Sequence, residues 1–215
     1  MKLKYLLISI VLFSNICLAG GSTSETLFAK AHGLFERSLA GDESVTPVAL
    51  QFFNILSMRY RDNPLFIAYK GSSYILLSRD SWMPWNKAEY TEKGLAFIDK
   101  SLQMLRPKHD QETMRTIPIS VETRLVALAT FMAIPESFYY VEKAKKVLKN
   151  ILQSTVFTVS PKIIQAQVYL EAAKISRLEN DSISEKQQLQ KSVDISPKGK
   201  FAKIVNKRLQ ELGNK

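Results

Sequence analysis

Few residues in this chain have the type and spacing that catalysis needs. There are two histidines, His32 and His109, and one cysteine, Cys17. His109 precedes Asp110, and a His-Asp pair is half of a catalytic triad, yet no Gly-x-Ser-x-Gly elbow marks a nucleophile to complete it. A Gly-rich phosphate loop, a His-Glu-x-x-His pattern and paired-cysteine metal spacing are also missing from the sequence. The residue types therefore point away from an enzyme, a metal or an organic cofactor. What stands out instead is Trp82-Met83-Pro84-Trp85, which gathers both tryptophans of the protein into four residues. An exposed tryptophan is a good binding anchor because it buries a large area with few rotors to freeze. The alternative is that this loop folds back and covers the neighbouring helices.

The first residues read as an address. Lys2 and Lys4 precede an apolar run from Tyr5 to Phe13, and the small residues Ala19 and Gly20 follow. This is the pattern of a secretory signal peptide over 1–19, cut after Ala19. The apolar stretch is broken by Ser9, Ser14 and Asn15, and it falls short of the roughly 20 residues that span a bilayer. Cleavage would remove Cys17, so an oxidising compartment would find no thiol to cross-link. The expected location is a bacterial periplasm; secretion, or retention at the inner membrane by an uncleaved signal, is the alternative. Residues 20–215 then form one domain, whose stability must come from an apolar core.

The formal net charge is +10, from 30 Lys and Arg against 20 Asp and Glu. The basic residues gather only near the end, at Lys191, Lys198, Lys200, Lys203, Lys207 and Arg208, with no aromatic interleaving for base stacking. A solvated helix face accounts for them; an acidic partner or an anionic envelope surface is the sharper reading. An exported chain does not meet nucleic acid.

Prolines punctuate the rest. Thr46-Pro47, Asn63-Pro64 and Ser160-Pro161 each pair a capping side chain with a proline suited to the first helical position. Ser22 to Glu25 and Ser182 to Glu185 have capping-box spacing. Between these marks apolar residues recur with helical period, as in Gly94, Ile98, Ser101, Leu102 and Leu105, or Val141, Ala144, Leu148 and Ile151. The pattern predicts helices over 23–40, 47–60, 64–79, 87–106, 119–133, 136–153, 161–179, 183–195 and 199–212, about nine in all, and no sheet. Short connections make consecutive helices antiparallel neighbours. The expected exceptions are 79–86 and 107–118.

The segment 169–202 has about the 34-residue length of a tetratricopeptide repeat. Tyr169, Ala172, Ala173 and Ser176 in its first helix, Leu189, Ser192 and Val193 in its second, and Pro197 at its end resemble the signature of that family. Glu185 departs from the usual alanine and Ser176 from the usual tyrosine. A second partial match starts at Pro64, with Gly71, Tyr74, Gly94, Ile98 and Ser101, and carries an insertion over 81–91 of roughly ten residues relative to the repeat length. Small residues such as Ala173 and Ser192 let two helix axes approach closely. The last segment, with Phe201, Ile204, Val205 and Leu209 on one side and Lys203, Lys207 and Arg208 on the other, looks like the polar-backed cap of such an array.

The resemblance implies an all-α fold of antiparallel hairpins stacked as a short solenoid, with partners bound on the face lined by the first helix of each pair. It places Gln167, Lys174 and Arg177 on that face, joined by Arg124 from the preceding pair. Lys174 and Arg177 would lie one helical turn apart and could clamp a carboxylate. The expected function is a non-enzymatic periplasmic adaptor that binds a peptide or protein, as an accessory subunit of an envelope complex. The competing expectations are a permanently assembled structural subunit and an unrecognised hydrolase built around His109.

Overall fold

The computed structural model describes residues 23–134 and 138–213. The segment read as a signal peptide lies outside them, as does Ser22 of the first capping box. Eleven α-helices make up most of the described chain. They are α1 (Thr23–Leu39), α2 (Thr46–Arg59), α3 (Pro64–Asp80), α4 (Pro84–Gln103), α5 (Lys108–Gln111), α6 (Ile119–Met132), α7 (Phe138–Leu152), α8 (Thr155–Thr158), α9 (Lys162–Leu178), α10 (Ser182–Ile195) and α11 (Ala202–Gly213). The count exceeds the expected nine because α5 and α8 are single turns, too short to carry a period that sequence could show. The expectation of no sheet also needs correction: Thr113–Met114 (β1) and Ile117–Pro118 (β2) pair antiparallel inside the long connection before α6.

Helix starts follow local chemistry, though not always the chemistry read from sequence. Asn63 caps α3 as expected, its side-chain oxygen accepting from Leu65 N at 3.0 Å. At α10 the cap is Asp181, which accepts from Ser184 N at 2.9 Å, so the Ser182–Glu185 box does not form. Glu185 is buried and used elsewhere. Thr46 is likewise not a cap: its hydroxyl donates to Asp80 Oδ2 at 2.7 Å and bonds the Ser38 hydroxyl at 2.6 Å, tying α1, α2 and the end of α3 together. Ser160 donates back to Val156 O at 2.7 Å, leaving Pro161 in the cap position of α9.

α4 starts at Pro84, three residues earlier than predicted, so the supposed insertion is mostly helix and only Ser81 to Met83 link it to α3. Met83 cannot cap with its side chain, which is why no start signal was visible; Pro84 at the first turn sets it.

Consecutive long helices pack as pairs, α1 with α2, α3 with α4, α6 with α7 and α9 with α10. The first helices also pack in series, α1 on α3, α3 on α6 and α6 on α9. The α3–α4 crossing is the tightest. A Cβ at Gly71 would lie 2.7 Å from Gly94 O, and one at Gly94 would lie 2.8 Å from Gly71 O, so the two backbones touch where neither side chain fits. At the α9–α10 crossing Ser192 is buried and donates to Ala166 O at 2.8 Å.

The core runs along α1, α2, α3 and α6 and continues into α7 and α9. Its centre is aromatic: Phe53 stacks on Tyr69 with centroids 5.0 Å apart, and Phe35 meets the Tyr69 edge at 5.1 Å. A smaller cluster of Leu170, Ala173, Leu189 and Val205 holds α11 against the last pair. That helix faces differently from the sequence reading. Ile204, expected inward, is exposed, whereas Arg208, expected outward, turns in to meet Glu185 through Nε at 2.7 Å and Nη2 at 3.0 Å. A guanidinium fork onto a buried carboxylate outweighs the apolar period here. Among the described residues no helix is long and apolar enough to cross a membrane.

Candidate functional site

The first helices α1, α3, α6 and α9 surround a cavity of about 600 Å³. That size falls within the range of small-ligand sites. α1 contributes His32, Phe35, Glu36 and Leu39, and α3 contributes Tyr69, Ser72, Ile75 and Leu76. From α6 come Glu122, Leu125, Val126, Ala129 and Thr130; from the start of α9 come Ile163, Ile164 and Gln167. Two further segments reach in from outside the series. One is the turn Arg115–Thr116 between β1 and β2, and the other is Lys200–Phe201 just before α11.

The turn is strained. Arg115 and Thr116 have φ of 52° and 68°, the left-handed values that a two-residue hairpin demands and that asparagine or glycine usually supplies. For a β-branched residue such as Thr116 this conformation is unfavourable by about 1–3 kcal/mol. The strain carries the Arg115 guanidinium to 4.7 Å from the Phe28 ring centroid and puts its Nη2 2.6 Å from Glu122 Oε1. The same oxygen accepts from the Tyr69 hydroxyl at 2.7 Å.

Glu122 is 2% exposed, and burial raises its pKa against the opposing pull of Arg115 and Tyr69. Burial likewise raises the Tyr69 hydroxyl, with the Glu122 charge adding to it. Glu122 Oε2 and Arg115 Nε are both buried without a hydrogen-bond partner among the described residues, so the pair meets at one point and not as a fork. His32 sits beside them. Burial, then the charge of Arg115, lowers its pKa to about 4, so the ring is neutral at pH 7. On the same wall Lys200 forms an ion pair with Glu36, joining the C-terminal segment to the first helix.

Every charged group on this wall is thus paired within the chain. The polar groups left over are uncharged: Ser72, Thr116 and Gln167 line the cavity and make no side-chain hydrogen bond among the described residues, and the neutral His32 ring lies 3.7 Å from Glu36, beyond hydrogen-bond reach. Of the partner-binding residues picked from sequence, the structure brings only Gln167 to the cavity, where His32 also lies. Lys174 donates to the buried Glu171 Oε1 at 2.6 Å, so its charge is engaged. Arg177 is exposed in the last turn of α9. Arg124 is partly buried, with burial lowering its pKa and Nη1 donating to Ser120 O at 3.3 Å. Trp82 and Trp85 are 80% and 64% exposed, so neither side chain folds back over the helices.

His109 is buried at 1% exposure, away from the cavity lining, and its Nδ1 accepts from Arg106 N at 2.9 Å. Asp110 does not bond it in that arrangement. Among the described residues no three His, Cys, Asp or Glu side chains gather as metal ligands would.

Sequence reasoning missed Arg115, Glu122, Tyr69 and Lys200. The lone Glu122 in an apolar stretch of α6 was the one signal available, since a carboxylate at a core position needs a partner. Comparison with protein-family models, with curated proteins and with solved structures gave no match to this chain.

Proposed function

We propose that this protein is an exported, non-enzymatic binding module, a short solenoid of tetratricopeptide-like hairpins that holds a partner polypeptide in the cavity along its first helices. The observation that carries the reading is the cavity of about 600 Å³, flanked by all four first helices and apolar over most of its named wall. Serial packing of α1, α3, α6 and α9 with the second helices behind them supports the solenoid part of the proposal. The two-lysine apolar leader supports export to a periplasm. Protein partners within an envelope complex fit that compartment.

The test is site-specific crosslinking. A photoreactive amino acid at position 167 should capture a partner in cells, and one at position 58 on exposed α2 should not; Ala129→Trp, which fills the cavity, should abolish capture. Capture that survives Ala129→Trp would remove the groove from the reading. Sequencing of the mature N-terminus should begin after Ala19.

A second reading, a subunit permanently assembled into a larger complex, is favoured by exposed Val48, Ile55 and Met58 on α2 together with the two tryptophans. Capture through position 58, with none through 167, would select it.

A further inference from the structure

Resting on that reading of the cavity, we infer that its occupant is an interior stretch of polypeptide with uncharged, apolar side chains, whose backbone amides bond to Ser72, Thr116 and Gln167. Neither a chain terminus nor a charged side chain fits.

The argument starts from what the wall has to offer. Its cations are committed, Arg115 to Glu122 at 2.6 Å and Lys200 to Glu36. The Arg115 guanidinium keeps other N–H groups, but a ligand carboxylate approaching them would meet the Glu122 charge on the same cation and gain little net attraction for the hydration it loses. A ligand ammonium would face the mirror problem, since both carboxylates already hold cations. His32 supplies no charge at neutral pH. A charged group entering here loses its hydration and gains no counter-charge.

The uncommitted polar groups are two hydroxyls, one carboxamide and the neutral His32 ring; the first three suit amides because each can donate or accept. They sit on three separate elements, Ser72 on α3, Thr116 on the hairpin turn and Gln167 on α9. A molecule with a single polar head would use one of them. A chain with an amide at every residue can use all three while Phe35, Leu76, Leu125, Val126 and Ile164 receive its side chains. The Lys200–Glu36 pair on the wall can give way to such a chain. Both side chains are well exposed, at 60% and 37%, and exposed pairs hold weakly.

The experiment measures binding of fluorescent pentapeptides to the purified full chain. The probes are acetyl-Leu-Gln-Val-Ala-Leu-amide, the same peptide with a free C-terminal carboxylate, and versions with Lys or Glu in place of Val; dodecanol serves as a competitor. The blocked neutral peptide should bind saturably, and the other three at least tenfold more weakly. Ala129→Trp should weaken the blocked peptide at least tenfold with helical signal intact, and Gln167→Ala and Ser72→Ala should each weaken it severalfold.

Equal or tighter binding of a charged peptide overturns the inference. So does binding of the blocked peptide that Ala129→Trp leaves unchanged, or a dodecanol affinity with no peptide affinity. The two proposals fail separately. If no peptide binds but a protein is still captured through position 167, the chemistry assigned here falls and the binding module stands. Peptide binding without any capture in cells would leave the site chemistry and remove the cellular role.

Discussion

Replacing Arg115 by methionine separates the two things that this side chain does. Methionine keeps an apolar stem over Phe28 and the same backbone requirement at φ 52°, but removes the guanidinium from Glu122. The carboxylate, 2% exposed, is left with one donor, the Tyr69 hydroxyl at 2.7 Å. Two charges about 4 Å apart attract by about 4 kcal/mol at the effective dielectric of a partly buried pair. Stranding one partner of such a pair costs about 3–5 kcal/mol in general.

The size of the loss depends on pH. Burial already raises the Glu122 pKa, and Arg115 is the largest influence holding it down, so the substitution raises it further. A carboxyl whose folded pKa lies above its unfolded one favours the folded state at low pH and loses that advantage as pH rises through the folded value. Arg115→Met should therefore destabilise by about 3–5 kcal/mol at pH 8 and by markedly less at pH 5. Urea unfolding followed by circular dichroism at both values measures it. Glu122→Gln in the Arg115→Met background removes the buried charge, and the double variant should be more stable at pH 8 than the single one. A loss under about 1 kcal/mol at pH 8, or one equal at the two pH values, would refute the claim that the pair compensates a buried charge.

Gly71→Ala should destabilise by about 2 kcal/mol, because its Cβ would press on Gly94 O at 2.7 Å and the overpacking exceeds the gain in helix propensity. Gly33→Ala, with nothing within 4 Å of the new Cβ, should stabilise by up to about 1 kcal/mol; thermal unfolding of both variants shows whether the signs differ. Arg208→Met leaves Glu185, 3% exposed, without its guanidinium and should cost about 3–5 kcal/mol, with α11 becoming the first site cut in limited proteolysis. The pKa of His32 falls from 6.5 unfolded to about 4 folded, so the unfolded state binds the extra proton between these values and stability drops as pH falls through that window. The drop is about 1–2 kcal/mol once the ring's partial exposure is allowed for, and His32→Gln should flatten that part of the urea-midpoint profile.

The helices were legible because apolar period and proline position are local. Nine predicted spans match nine long helices with ends displaced by about three residues at most. The caps were less legible: Thr46, Ser160 and Ser182 all have the right type for a cap, yet Thr46 bonds Asp80 across α3 and Asp181 displaces Ser182. A hydroxyl or carboxylate takes whichever partner tertiary packing brings first, and that partner can be 34 residues away, as Asp80 is from Thr46.

The site was the least legible part. Gln167, picked from its place in the helical pattern, lies on the cavity wall, but Arg115 reaches the cavity from a two-residue turn whose left-handed φ values no asparagine or glycine announced. Lys200 lay in a basic run read as solvated surface, and only the fold brings it to Glu36 on the first helix.

The distribution of ion pairs bears on what the +10 net charge can do. Carboxylates engaged between elements hold cations in place: Glu122 fixes the hairpin turn to α6, Glu36 the C-terminal segment to α1, Glu185 holds α11 on α10, and Asp99 takes Lys143 of α7 at 2.7 Å. Pairs of this kind position elements more than they stabilise them, and they remove the cations nearest the cavity from any role in attracting a ligand. The surplus positive charge therefore lies on outer faces such as Lys203 and Lys207 of α11, both exposed. An anionic surface would meet the outside of the protein, with a dependence on salt that exposed charges must show. Binding in the cavity should be nearly indifferent to salt, because neither the wall nor its proposed occupant brings an unpaired charge to the contact.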